Sequence, residues 1–282
     1  MRITTAQIRK YKQDKKRFAA LTAYDVVTAR LVDQAGIPII LVGDSLGMVV
    51  LGYENTIPVT LDDIIHHTRA VVRGSETSMV VADLPFMTYH KSPEQALDSA
   101  ARCMQQGGAQ AVKLEGGRVM APTIRRLTES GIAVMAHIGL TPQSVNQLGG
   151  FKAQGKTKVQ ALTVMEDALA VQEAGAFSVV LECVPAALAS LITKRLQIPT
   201  IGIGSGPDCD AEIQVVSDIL GWITDFQPKH TKRFAHLADQ AKQAIDQYTA
   251  EVGGRTFPTQ DNSFSIDEEV LRDVEAAFPA QV

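Results

Sequence analysis

The chain predicts a single (β/α)8 barrel of the α/β class, with a helix ahead of the barrel and a short helical appendage after it. Three observations carry this. The 282 residues, 45% of them apolar, match one barrel of ~250 residues with a full core. Short runs of apolar residues recur without polar alternation, as strands buried on both faces must, and helix signals separate most of them. No GxGxxG turn follows any run, which favours a closed barrel over an open dinucleotide-binding sheet. The expected domains are the barrel with its leading helix, 1–254, and an extension, 255–282.

Strands are expected near 18–24, 37–44, 78–84, 109–115, 132–138, 176–183, 199–204 and 214–221. The first 16 residues read as a helix. Thr60-Leu61-Asp62-Asp63 opens another. Ser92-Pro93-Glu94-Gln95 places a serine cap before a proline at the first helical position. Ser265-Ile266-Asp267-Glu268 opens a late helix with a capping box. Gly36, Gly108, Gly131 and Gly175 stand just before strands, where helices close in the left-handed conformation. Residues 141–157, TPQSVNQLGGFKAQGKT, form a long loop after the fifth strand and read as a lid over the active face.

Composition excludes several classes of function. A net charge of −4 and 5% aromatic residues offer neither a basic stripe nor stacking platforms for nucleic acid. No apolar run approaches the ~20 residues of a membrane span. The polar start MRITTAQIRKYKQDKKRF lacks the apolar core of a signal peptide. Cys103, Cys183 and Cys209 are too few and too scattered for a disulfide framework or a CxxC metal site. A cytoplasmic enzyme acting on a small molecule is the expectation.

Four runs end in an acid: Ile39–Asp44, Met79–Asp83, Ala111–Glu115 and Ser178–Glu182. Carboxylates at the tails of buried strands are costly unless paired, protonated or bound to metal. Asp44, Asp83 and Glu115 end neighbouring strands, on the face where barrels place their chemistry, so they can converge. A hard divalent cation, Mg²⁺ or Mn²⁺, suits such an all-oxygen set; helix caps or lysine partners are the alternative. Lys113, two residues before Glu115, shares its face and suits a substrate carboxylate, or else simply pairs with Glu115. Ser45 adds a hydroxyl and an N–H for an anion. Glu182 stands across the barrel, isolated from the metal cluster, placed to take a proton or to pair with a lysine. His137 closes the fifth strand between these groups as a supporting hydrogen bonder or proton relay, or as an ordinary core histidine. Cys183 should face the helices as a buried, inert thiol. His66-His67 point apart on a helix and form no metal pair. Gly202-Ile203-Gly204-Ser205-Gly206 follows the seventh strand, where many barrels bind phosphate.

The stretches LTAYD (21–25), LVGDSLGMVVLGYENTIPVT (41–60), ADLPFMTY (82–89), VKLEGG (112–117), HIGLTPQSVNQLGGFKAQGK (137–156), LECVP (181–185) and IGIGSG (201–206) resemble the ketopantoate hydroxymethyltransferase family. The likeness runs in order from about residue 4 to about residue 253. It implies a barrel of the phosphoenolpyruvate/pyruvate superfamily, assembled as a homodecamer, in pantothenate and coenzyme A biosynthesis. The implied reaction moves a hydroxymethyl group from 5,10-methylenetetrahydrofolate to 3-methyl-2-oxobutanoate. It implies Mg²⁺ on Asp44 and Asp83, with Glu115 direct or through water. The oxoacid would contact Asp44, Ser45, Asp83 and Lys113, and Glu182 would accept the proton. The pattern departs at Ser205, at Ala211-Glu212 and at Ser217, around the eighth strand. A lyase of the same superfamily would use the same acids without folate. A barrel that only binds a ligand would need neither the metal ligands nor the base.

Overall fold

In the computed structural model, which describes residues 1–150 and 152–279, eight parallel strands close into a barrel in sequence order. Phe151 of the expected lid and residues 280–282 of the appendage lie outside the described residues. The strands are β1 (Phe18–Thr22), β2 (Ile39–Val42), β3 (Met79–Asp83), β4 (Ala111–Glu115), β5 (Val134–Gly139), β6 (Ser178–Glu182), β7 (Thr200–Ile203) and β8 (Ala211–Gln214). The helices are α1 (Thr5–Gln13), α2 (Val26–Gln34), α3 (Leu46–Val49), α4 (Leu61–Gly74), α5 (Pro93–Gln105), α6 (Ala121–Glu129), α7 (Val145–Leu148), α8 (Lys158–Glu173), α9 (Ala186–Arg195), α10 (Val216–Leu220), α11 (Leu237–Gly253) and α12 (Glu268–Ala277).

The helix starts follow the caps. Thr60 and Asp63 bond reciprocally at the head of α4, and Ser92 accepts from Gln95 N–H ahead of Pro93. At α12 the cap is Asp267, which accepts from Glu269 N–H, rather than the expected Ser265. Contacts group the chain into two units, Met1–Ala235 and a second from His236 that includes α11. In that second unit the Tyr248 and Phe257 rings lie 5.9 Å apart.

The eighth strand differs from expectation. Residues 211–214 form it, with alternate burial, while the apolar run 215–220 that reads as a strand becomes α10. Gly221 closes that helix at φ +69°, and a run this short carries no periodicity able to separate strand from helix.

Two apolar cores sandwich the sheet. One lies between strands and helices; the other fills the barrel with Ala20, Ile39, Leu41, Met79, Val81, Ala111, Met135, Val180, Ile201, Ala211 and Ile213. Ile8 of α1 is fully buried in this inner core, so the leading helix plugs the barrel's N-terminal mouth. Side chains alternate across a strand, and the inner set defines the parity. Counting in twos from Met79, Ala111, Met135 and Val180 brings Asp83, Lys113, Glu115, His137 and Glu182 to the interior, at the C-terminal mouth.

Below that mouth, Asp33 ties α2 to the segment before β3. Its carboxylate accepts from the backbone N–H groups of Glu76, Thr77 and Ser78 and from the hydroxyls of Thr77 and Ser78. Burial acts to raise its pKa, yet these bonds hold it well below the usual carboxylate range. A depressed carboxylate contributes stability above its unfolded pKa, about 3.9, that is lost as pH falls through the folded value. Asp33→Asn is therefore expected to lower Tm at neutral pH and to flatten the loss of Tm on acidification. Superimposable Tm–pH curves for the two proteins would rule this out.

Candidate active site

Strand parity and register assemble the polar centre. Asp83 lies beside Lys113 across the β3–β4 pairing, and Glu115 lies beside His137 across β4–β5. Asp44 follows β2 on the turn into α3. All five side chains are buried, at 5% exposure or less. Gly139 lets Glu182 join them. Its φ is +92°, and a Cβ there would stand 2.4 Å from the Glu182 carbonyl oxygen, so only glycine permits this approach of β5 and β6.

Lys113 Nζ donates to both Asp83 oxygens at 2.8 Å and stands 3.7 Å from Glu115 Oε1. The lysine's first partner is thus Asp83, not the Glu115 that spacing along one strand suggests. Asp44 N–H donates to Asp83 Oδ2 at 3.3 Å. Gln143 Nε2 donates to Asp44 Oδ2 at 2.9 Å, and Gln143 N–H donates to Glu115 Oε2 at 3.0 Å. Ser45 Oγ sits 2.8 Å from Tyr24 OH. His137 bridges two acids, with Nδ1 3.4 Å from Glu115 Oε1 and Nε2 3.2 Å from Glu182 Oε2. Neither ring nitrogen makes a well-directed hydrogen bond, so these contacts are chiefly electrostatic.

The charges are unevenly compensated. Burial, then the charges of Asp83 and Glu115, drive the Asp44 pKa well above the usual range. Burial pushes Asp83 up as well, and its contacts with Lys113 oppose the shift. Glu115 goes the other way: burial would raise it, but His137, Lys113 and the Gln143 N–H hold it low. Burial also works against the Lys113 charge, and the three carboxylates together overcome it. For His137, burial and Lys113 pull down, while Glu115 and Glu182 outweigh them and raise it to about 9. Among the described residues no three His, Cys, Asp or Glu side chains form a closed metal cage, Asp83 being turned onto Lys113.

Several expectations change. Glu182 is not isolated, because His137 links it to Glu115. It keeps 16% side-chain exposure, more than its interior neighbours. Cys183 faces outward but is only half-buried, and with Gly204, Gly206, Lys156, Lys229 and His230 it lines a surface cavity of about 680 Å³. Burial lifts its thiol to about 11, so it stays protonated at neutral pH. The 141–157 segment is not all loop: residues 142–144 make a 3-10 turn and 145–148 a helical turn. His67 Nδ1 is 2.6 Å from the Tyr24 carbonyl oxygen, a structural contact. The departure at Ser205 is also structural. Its buried hydroxyl donates to Leu181 O at 2.7 Å and accepts from Val184 N–H at 3.1 Å, tying β7 to the end of β6. Glu212 accepts from Gln214 Nε2 and faces the same outer cavity. Ala211 packs in the inner core, and Ser217 is buried.

Sequence reasoning missed Gln143, Tyr89 and Tyr24. All three stand in the stretches LTAYD, ADLPFMTY and HIGLTPQSVN, but a neutral amide or a phenol carries no charge pattern that singles it out. Tyr89 OH lies 2.8 Å from Gln143 Oε1 and accepts from Glu115 N–H at 3.1 Å.

The family model for ketopantoate hydroxymethyltransferase matches residues 2–260. The chain belongs to the ketopantoate hydroxymethyltransferase family. A 3-methyl-2-oxobutanoate hydroxymethyltransferase of Dehalococcoides mccartyi (strain CBDB1) is 58% identical over 274 residues, covering 97% of this chain and 98% of its own. The enzyme of that name from Chloroflexus aurantiacus (strain ATCC 29366 / DSM 635 / J-10-fl) is 57% identical, covering 95% and 94%. Among solved structures, phosphonopyruvate hydrolase in complex with oxalate and Mg²⁺ aligns with TM-score 0.59 over 98% of this chain and 99% of its own, at 14% identity. 2,3-Dimethylmalate lyase, a PEP mutase/isocitrate lyase superfamily member, aligns at TM-score 0.54 and 14% identity over 98% and 99%. At that identity the likeness concerns the barrel alone. The closed parallel barrel agrees with a candidate site at the C-terminal mouth.

Proposed function

We propose that this chain transfers a hydroxymethyl group from 5,10-methylenetetrahydrofolate to 3-methyl-2-oxobutanoate, giving 2-dehydropantoate in pantothenate and coenzyme A biosynthesis. The observation that carries the reading is the meeting of Asp44, Asp83 and Glu115 with Lys113 and Glu182 at one barrel mouth, in a chain of this family.

The residues fit a hard divalent cation. The donors are all oxygen, and three buried carboxylates face one lysine and one histidine, leaving negative charge that burial makes costly. Asp44 and Asp83 would hold Mg²⁺, or Mn²⁺, with Glu115 direct or through water. When bound, the ion supplies Lewis-acid stabilisation of a substrate oxygen. A fold neighbour, phosphonopyruvate hydrolase, is described in complex with oxalate and Mg²⁺, which supports a divalent cation in this reading.

The protein's own groups divide the remaining work. Asp44, Ser45 and Asp83 orient the oxoacid, Ser45 being steadied by Tyr24. Lys113 brings a fixed charge to the substrate carboxylate and to the oxyanion that develops as C3 loses its proton. Glu182 takes that proton, and His137 beside it stabilises the pair of charges. One water adds to the one-carbon unit and releases it from the two folate nitrogens, which regain their proton, as a formaldehyde-level carbonyl; the C3 carbanion adds to that carbon and the oxygen takes up a proton as the new hydroxyl. The turn 142–144 sets Gln143 against Asp44 and Glu115, and the segment it begins would limit access of bulk water. The family reading also carries homodecameric assembly and a cytoplasmic site. Among the described residues no helix is long and apolar enough to cross a membrane.

The deciding assay supplies 3-methyl-2-oxobutanoate, 5,10-methylenetetrahydrofolate and Mg²⁺ and measures 2-dehydropantoate. Product formation that needs all three is expected. Turnover of an oxoacid without folate would instead point to a lyase. Lys113→Met is expected to weaken oxoacid binding in calorimetry. It should also lower Tm, because Asp83 loses its bidentate partner inside the barrel, a change of about 3–5 kcal/mol for a broken buried pair. Unchanged oxoacid affinity would leave Lys113 as a structural partner of Asp83 only.

A further inference from the structure

We infer that Gln143 is a positioning residue that aims two of the three metal-site carboxylates. The inference rests on the proposed cation at Asp44, Asp83 and Glu115.

Gln143 is 2% exposed, yet its polar groups are engaged on every side. Nε2 donates to Asp44 Oδ2 and to the Leu84 carbonyl oxygen, both at 2.9 Å. Oε1 lies 2.8 Å from Tyr89 OH, and the backbone N–H donates to Glu115 Oε2 at 3.0 Å. The Leu84 carbonyl can only accept, so it fixes which end of the amide is nitrogen. The phenol of Tyr89 can then donate to Oε1. A single residue thus holds one oxygen of Asp44, which follows β2, and one of Glu115, which ends β4.

The consequence is directional. With Asp44 Oδ2 and Glu115 Oε2 bound to Gln143, each acid keeps one oxygen that Gln143 does not hold. Glu115 Oε1 is indeed the atom that approaches Lys113 and His137. The residue type matters as much as the place. A lysine at 143 would compete with the cation for the same carboxylates, and an acid would add a fourth negative charge. A neutral amide donates without doing either. It also stands in the 3-10 turn 142–144 that begins the segment after β5. The carboxylate geometry is thereby tied to the packing of that turn, and a metal ion that draws Asp44 and Glu115 together stabilises the turn in return.

The test uses Gln143→Met, which keeps length and an unbranched shape while removing both side-chain donors, and Tyr89→Phe, which leaves Gln143 in place but removes the hydroxyl that bonds Oε1 and also meets the Glu115 N–H and carbonyl oxygen. Free Mn²⁺ is measured by electron paramagnetic resonance in titrations of wild type and both variants, without oxoacid or folate. Removing such a supporting partner is expected to weaken Mn²⁺ binding by ~10–100-fold in Gln143→Met, with a smaller loss in Tyr89→Phe. Loss of fold is excluded independently by circular dichroism and Tm. A second readout is the amide exchange of residues 143–148, which should slow on adding Mn²⁺ to wild type and not to Gln143→Met. A folded Gln143→Met that binds Mn²⁺ as tightly as wild type overturns the inference and leaves the metal reading intact. Wild type that binds no Mn²⁺ overturns both. A Gln143→Met that fails to fold passes the decision to Tyr89→Phe, where unchanged Mn²⁺ affinity counts against the inference.

Discussion

Glu182→Gln is expected to slow exchange of the C3 proton of 3-methyl-2-oxobutanoate with deuterium by ~10²–10⁴-fold, the usual contribution of a general base. Glutamine keeps the shape and one acceptor, so fold, cation and oxoacid binding should survive. The position argues for this role over metal binding. Glu182 ends β6 with interior parity, is less buried than Asp83 or Glu115, and touches His137 Nε2 at 3.2 Å. Exchange requires neither folate nor C–C bond formation, so it isolates proton transfer. His137 still keeps Glu115 as a partner on its other nitrogen, 3.4 Å away, so the barrel interior should hold in the variant. Exchange at the wild-type rate, with normal oxoacid binding, would remove Glu182 from the role of base and move attention to a water held by His137.

Asp44→Asn and Asp83→Asn should both reduce turnover to background, and they should part company in stability. The two acids are buried alike but paired differently. Asp83 faces Lys113 Nζ with both oxygens at 2.8 Å, whereas among the described residues Asp44 meets only the neutral amide of Gln143 as a side-chain donor. Asp83→Asn strands a buried lysine, and breaking such a pair costs about 3–5 kcal/mol. At roughly 2–4 °C per kcal/mol for a chain of this size, Tm in chelator should fall by about 6–20 °C. Asp44→Asn removes a charge that burial and two neighbouring carboxylates disfavour, so its Tm in chelator should equal or exceed that of wild type. Calorimetry should show Mg²⁺ binding with oxoacid lost in both. Equal destabilisation by the two substitutions would show that Lys113 is not the counter-ion of Asp83 alone.

Much of this was readable from residue order. The barrel follows from apolar, non-alternating runs separated by capped helices, and Ser92-Pro93 and Thr60 open helices where their chemistry requires. Asp83, Lys113, Glu115 and Glu182 are legible because a carboxylate or ammonium at the tail of a buried run demands a partner. Their parity is a property of the strand itself. The eighth strand was misplaced because 211–214 is short and half polar, while the more apolar 215–220 belongs to a helix. The boundary at 235 was not visible either. The helix at 237–253 is a finding of the structure, with no cap or turn signal read for it from the sequence.

By itself, then, the order of residues determined which acids reach the barrel mouth, since strand period and hydrophobic pattern are local properties of the chain. Pairing is different. That Lys113 answers Asp83 rather than Glu115 depends on the stagger of β3 against β4, a register set by closure of the whole barrel. That His137 joins Glu115 to Glu182 depends on the register of three adjacent strands, which sets Glu115 beside His137 and Glu182 two residues further along β5, beside Gly139. Gln143 is the clearest case. A neutral amide in a polar stretch has no feature that marks it. Only the fold brings its side chain and N–H onto carboxylates 99 and 28 residues earlier in the chain.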